Sequence, residues 1–214
     1  RDAAADAAEW ERVSPAYTDT IGDTAFRNQI SFQSEYRYQN SSGRNDLDTA
    51  KVTQDSEFLY FHITTVNEIV AEDDEAWMNL YLDIDNDSST GWEGFDLILN
   101  RSRDGTSVSV EKFVDNSWNF ETVGSAEYLL GTNSLTIKVA KDVIRKAAPE
   151  ADFKLFAYKW ADASVSDGDV MRFMDLGDTA PNDRFKFLYT TEKLPEAKTG
   201  GRLSWITVLC ICIA

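Results

Sequence analysis

At 214 residues the chain has the length of one domain with room for a full core. Hydrophobic content of 43% and aromatic content of 12% exclude a mainly disordered state. A net charge of -16 opposes binding to nucleic acid or anionic lipid, and the confinement of cysteine to Cys210 and Cys212 excludes a disulfide-stapled scaffold.

The opening RDAAADAAEW lacks an initiator Met and the layout of a signal peptide, so residues 1-9 read as the remnant of a linker in a fragment of a longer protein. From residue 52 onward, period-two alternation dominates, in short runs of Val, Phe, Tyr, Ile and Thr separated by Asn, Asp, Gly and Ser. In FLYFHITTV, Leu59, Phe61 and Ile63 fall on one face and Tyr60 and His62 on the other. SVSVEKFV, NSLTIKVA, FKLFAYKWA and DRFKFLYTT repeat the pattern. KDVIRKAAPE, Lys141 to Glu150, is the one helical segment expected, with Asp142 as a cap and Pro149 as its stop. Many short strands with one short helix predict an all-β fold, an antiparallel β-sandwich of jelly-roll type over residues 10-192. Residues 193-214 read as a non-native or disordered tail. Its run from Leu203 to Ala214 is shorter than the roughly 20 apolar residues that span a bilayer. A cloning junction, a truncated membrane anchor and a buried strand all remain open for it, and no membrane insertion is expected of the globular part.

The stretch WMNLYLDIDNDSSTGWEGFDLILN, Trp77 to Asn100, reads as a hairpin in which Asp83, Asp85, Asp87, Glu93 and Asp96 crowd together with no Lys or Arg among them. Period two puts Met78, Leu80, Leu82 and Ile84 on the core face and Trp77, Asn79, Tyr81, Asp83 and Asp85 on the other. Phe95, Leu97 and Leu99 share one side of the return strand, so pairing brings Asp96 toward Asp83 or Asp85. Facing carboxylates repel unless a proton, a cation or a basic side chain relieves them. Asp83, Asp85 and Asp87 at alternate positions suit a hard cation such as a structural Ca2+, although the spacing is not that of a helix-flanked calcium loop. The same residues also make turns through side chain to backbone hydrogen bonds without any metal. Arg44, Arg101 and Lys159 are the candidate basic partners, and Trp77, Trp92, Trp118 and Trp160 the candidate platforms for a sugar ring.

EWERVSPAYTDTIGDTAFRN, SSGRNDL, the hairpin itself, YKWAD and GDTAPNDRF together resemble bacterial ancillary domains of the family 9 carbohydrate-binding-like, or DOMON-like, β-sandwich superfamily, over Glu9 to Thr191. The resemblance implies a jelly-roll-like sandwich, often with structural calcium, and a sugar site of paired indoles plus polar side chains. By position, Trp92, Glu93 and Asp96 match the turn, Arg44, Asn45 and Asp46 the loop, and Lys159, Trp160 and Asp162 the strand. No pair of indoles at matching spacing is evident. The implied role is a non-catalytic carbohydrate-binding module of a larger secreted or cell-surface polysaccharide-degrading protein. Its partners would be a polysaccharide or oligosaccharide and covalently linked catalytic modules. A structural spacer needs the same sandwich, and a glycoside hydrolase or lyase would draw on the carboxylates or on His62 beside Tyr60. Exposed indoles beside Arg44, Asp96 and Lys159 would favour binding, and indoles packed into the core a spacer.

Overall fold

The computed structural model describes residues 7-30 and 37-192. Residues 1-6 of the expected linker and the whole expected tail, 193-214, lie outside the described residues.

The described chain is an antiparallel β-sandwich. Its strands are β1 (Ala16–Thr18), β2 (Arg27–Ile30), β3 (Arg37–Asn40), β4 (Leu47–Gln54), β5 (Phe58–Thr65), β6 (Asn79–Asp83) and β7 (Leu97–Asp104). These are followed by β8 (Ser107–Val114), β9 (Asn119–Leu130), β10 (Ser134–Ala140), β11 (Leu155–Asp162), β12 (Asp178–Ala180) and β13 (Phe187–Thr190). One continuous sheet runs β1-β4-β5-β10-β9-β8-β7-β6-β11-β12, with β13 also on β11, while β2 and β3 form a separate hairpin. The sheet wraps round a single main core. Leu59, Phe61 and Ile63 of β5 meet Leu80 and Leu82 of β6, Leu97 and Leu99 of β7, and Phe156, Tyr158 and Trp160 of β11. The Phe61 ring centroid lies 6.0 Å from that of Phe156 and 5.9 Å from that of Tyr158, so β5 and β11 face each other across the interior although they are far apart in strand order.

The two ends of the wrap are joined by side chains. Asp178 Oδ2 accepts from Leu47 N at 2.6 Å, Tyr17 Oη donates to Leu188 O at 2.6 Å, and Gln54 Nε2 donates to Tyr189 Oη at 3.1 Å. These bonds tie β1 and β4 to β12 and β13 and cover edges that would otherwise stand open.

The outer face of β6, β7 and β11 is also covered. Tyr81, Trp92, Phe95, Ile98, Phe113, Ala161, Val165 and Phe173 form a second apolar cluster, closed by the turn after β6 and by the segment between β11 and β12. The alternating pattern expected of a half-solvated strand therefore fails in β6, every residue of which is buried. Leu80 and Leu82 reach the main core as expected, but Tyr81 is as dry as they are. Phe95, expected beside Leu97 and Leu99, joins the outer cluster instead. A tight bend redirects it: Gly91, Glu93 and Gly94 have φ of 59, 53 and 75°, and Trp92 N and Phe95 N each donate to the other's carbonyl at 2.9 Å. A Cβ on Gly91 would lie 1.8 Å from Phe95 O, so only glycine fits there.

The expected helix from Lys141 to Glu150 is a single turn, α2 (Lys141–Ile144), which packs Ile144 into the main core. Asp142 does not cap it. Ala140 holds the cap position without a side-chain bond, and Asp142 pairs with Arg145 at 3.0 Å. Two further single turns are α1 (Ala7–Trp10) and α3 (Arg172–Asp175). Trp10 stacks on His62 with centroids 4.4 Å apart, which accounts for the burial of that outward-facing histidine.

Candidate functional site

The β6–β7 register pairs Leu82 with Leu97 and so sets Asp83 opposite Asp96 at the mouth of the turn. Asp96 N donates to Leu82 O at 2.8 Å, and Asp96 Oδ2 accepts from Ile84 N at 2.6 Å. Asp85 Oδ1 accepts from Asp87 N at 2.9 Å, and Thr90 Oγ1 donates to Asp85 Oδ2 at 3.1 Å. Carboxylate oxygens of Asp83, Asp85 and Asp96 all lie within 4.8 Å of one another. Asp87, expected in the metal set, is exposed and makes a local turn with Ser89 N and Oγ, whose hydrogen bonds hold its carboxyl below the usual range. The trio that converges is therefore Asp83, Asp85 and Asp96. Burial, reinforced by the charges of Asp85 and Asp83 against the bond from Ile84 N, pushes Asp96 up to about 6.

A basic side chain does relieve this crowding, and it is Lys186. Its Nζ lies 2.8 Å from Asp83 Oδ2, donates to Gly94 O at 2.9 Å and Glu93 O at 3.3 Å, and sits 4.1 Å from the centre of the Phe95 ring. Burial still holds the Asp83 carboxyl above its ordinary range, against the pull of Lys186. None of the basic residues expected here serves that role. Arg101 pairs with Glu111 at 2.9 Å and with Glu75. Arg44 pairs with Asp162 at 2.9 Å and Asp74 at 2.7 Å. Lys159 donates to Pro181 O and, at 3.3 Å, to Phe185 O.

Arg44, Asn45 and Asp162, expected to bind a ligand, instead form a buried knot. Asp162 Oδ2 accepts from Arg44 Nε and from Asn45 Nδ2 at 3.1 Å, while its Oδ1 accepts from Met78 N at 2.9 Å. This ties the GRND loop to β11 and to the start of β6. Burial raises Asp162 to about 6, with Arg44 opposing. Trp160 is 0% exposed in the main core and Trp92 is 4% exposed in the outer cluster, so neither offers a ring face to solvent. Trp77 and Trp10 are buried as well, and Trp118 is half-buried against Trp92 at 4.5 Å.

Beside the acidic rung lies a cleft of about 410 Å3 between the turn, α3 and the segment 181-186. Phe95 and Phe173 line it, with Phe185, which is 43% exposed, alongside. Glu93 and Arg184 are exposed on its lining, and among the described residues neither side chain has a hydrogen bond or ion pair. Among the described residues, Asn86 Oδ1 and Asp83 Oδ1 are buried acceptors without a donor on residues that also line the cleft. Of the expected ligand-binding residues, Glu93 alone lines it; Asp96 does not. Lys186, Phe185 and Arg184 escaped the sequence reading because their run reads as one more alternating strand. The alternation of Arg184 and Lys186 about Phe185 was the available signal.

A second carboxylate group, Asp19, Asp23 and Asp178, gathers at the seam between β4 and β12. Asn182 Nδ2 donates to Asp23 Oδ2 at 2.8 Å and to Asp19 Oδ1 at 3.4 Å. Burial, then the charges of Asp23 and Asp19, push Asp178 up to about 8, and burial with Asp23 raises Asp19 to about 7. Lys159, fully buried beneath them, is pushed down to about 7 by burial, with Asp19, Asp183 and Asp178 opposing.

No family model, curated protein or solved structure matches this chain. Among the described residues no helix is long and apolar enough to cross a membrane.

Proposed function

We propose that the chain is a non-catalytic glycan-binding module of a larger secreted polysaccharide-degrading protein, and that its ligand sits in the cleft beside the acidic rung. The observation that carries the reading is the composition of that cleft. An exposed phenyl face, Phe185, stands beside side chains without partners among the described residues, Glu93 and Arg184, in a space within the range of small-ligand sites of about 300 to 1,000 Å3. A sugar ring presents an apolar face and a rim of hydroxyls, and this lining supplies a partner for each. The resemblance to the family 9 carbohydrate-binding-like superfamily supports the same role.

Affinity electrophoresis against neutral and charged polysaccharides tests it. Retention that is lost in Phe185→Ala while the melting temperature stays within a few degrees supports the cleft, and no retention on any glycan sinks it. The burial of Trp10, Trp77, Trp92 and Trp160 favours a second reading, a structural spacer, which a blank screen would leave standing.

Asp83, Asp85 and Asp96 would hold the proposed structural Ca2+. The fit rests on their converging oxygens and on the unpartnered Asp83 Oδ1, and a hard cation supplies the positive charge that Lys186 alone leaves incomplete for this trio. Chelator is expected to lower the melting temperature by several degrees and added Ca2+ to restore it; an unchanged transition removes the ion.

A further inference from the structure

We propose that the glycan unit in the cleft carries a free amine, as in a glucosaminyl residue of a deacetylated polysaccharide, with its ammonium at Glu93 and Asp183 and its ring against Phe185. This rests on the glycan-binding reading above and narrows it to one class of sugar. The argument is one of unmet acceptors. Asn86 Oδ1 is buried on the lining with no donor, and Glu93 has no partner among the described residues. Asp183 stands exposed on the same lining. Such a lining suits a ligand rich in N–H and O–H donors, because acceptors without a protein donor are left for it to meet.

Charge then chooses among donor-rich sugars. Lys186 is already engaged by Asp83, which leaves exposed Arg184 as the one uncommitted cation of the cleft among the described residues. Against it stand Glu93 and Asp183 on the lining and Asp87 on the adjoining turn, since the proposed Ca2+ would offset Asp85 and Asp96. The chain's net charge of -16 extends the same field outward, attracting cations and repelling uronates. A neutral hexose would use the hydroxyl acceptors but not the field, and an N-acetyl group would remove the charge while keeping the ring.

Calorimetric titration with trimers of glucosamine, N-acetylglucosamine and galacturonate, in buffer containing calcium, tests this, with spermidine as a cation that has no ring. The glucosamine trimer is expected to bind about three- to fivefold tighter than its N-acetylated counterpart, the scale of one solvent-exposed charge pair. The galacturonate trimer should be weakest, and Glu93→Gln combined with Asp183→Asn should erase the preference without loss of the N-acetylated ligand. Equal or tighter binding of the N-acetylated or galacturonate trimer overturns the amine but leaves the glycan module standing. A preference that survives the double variant, or spermidine as tight as glucosamine trimer, also overturns it. If no saccharide binds at all, the glycan reading falls with it.

Discussion

Lys186 supplies the positive charge that meets the acidic turn. Its ammonium faces a carboxylate that is nearly buried, with side-chain exposures of 14% for Lys186 and 7% for Asp83. With no Ca2+ bound, replacing it with a neutral side chain leaves Asp83 charged and dry, the costly half of a broken buried pair. Lys186→Met is expected to lower unfolding free energy by about 3 kcal/mol in urea titration with chelator present, and the double variant Asp83→Asn with Lys186→Met to recover a large part of that loss. Equal losses in the single and double variants would show that the pair is not coupled. At the same scale Tyr81 is informative. Its buried hydroxyl has no partner among the described residues, burial drives its pKa far above normal with Arg101 opposing, and the ring rather than the hydroxyl explains why an aromatic stands there.

The turn from Ile84 to Asp96 works as an element because Trp92 plugs it into the outer cluster, stacking on Phe113 at 5.6 Å and meeting Trp118 and Phe173. Trp92→Ala therefore opens a cavity. It should cost about 3 to 5 kcal/mol in chemical denaturation, and a stability unchanged within error would return Trp92 to the surface role the sequence suggested. That contrast shows how far the sequence reads. The strands were legible because Leu59, Phe61 and Ile63, or Leu80 and Leu82, alternate in the period a sheet imposes. The approach of Asp96 to Asp83 or Asp85 followed from the same period, and the register sets Asp83 opposite it. What covers the outer face was not legible, since burial of Tyr81 and Trp92 depends on Phe173 and Val165, which arrive from a segment far along the chain. Lys186 was hidden for the same reason: pairing with Asp83 is set by how β11 and β13 pack, and no local pattern encodes it.

Across the whole molecule, buried carboxyls set the response to pH. Asp178 titrates at about 8 when folded against 3.8 as its ordinary value, Asp19 at about 7, and Asp162 and Asp96 at about 6. Between 3.8 and those values the folded state binds more protons than the unfolded one, so stability falls as pH rises through the window. Among the groups that run the other way are His62 and Lys159. His62 is lowered from 6.5 to about 4 and Lys159 from 10.5 to about 7, so each adds stability with rising pH within its own interval. The carboxyls outnumber them on the acid side. The melting temperature is expected to peak in mild acid and decline toward pH 8, with a shallower decline in Asp178→Asn; a melting temperature that climbs steadily from pH 5 to 8 would contradict these burials.

Asp178 also stands at the seam where the wrapped sheet meets itself, and that placement has a mechanical consequence. A closed barrel has no weakest rung, whereas here the first and last strands are clasped by the side chains of Asp178, Tyr17 and Gln54. Opening the clasp would break those few bonds and spare the ladders on either side. The seam is thus the line along which the molecule is held by side chains and core packing in place of a backbone ladder.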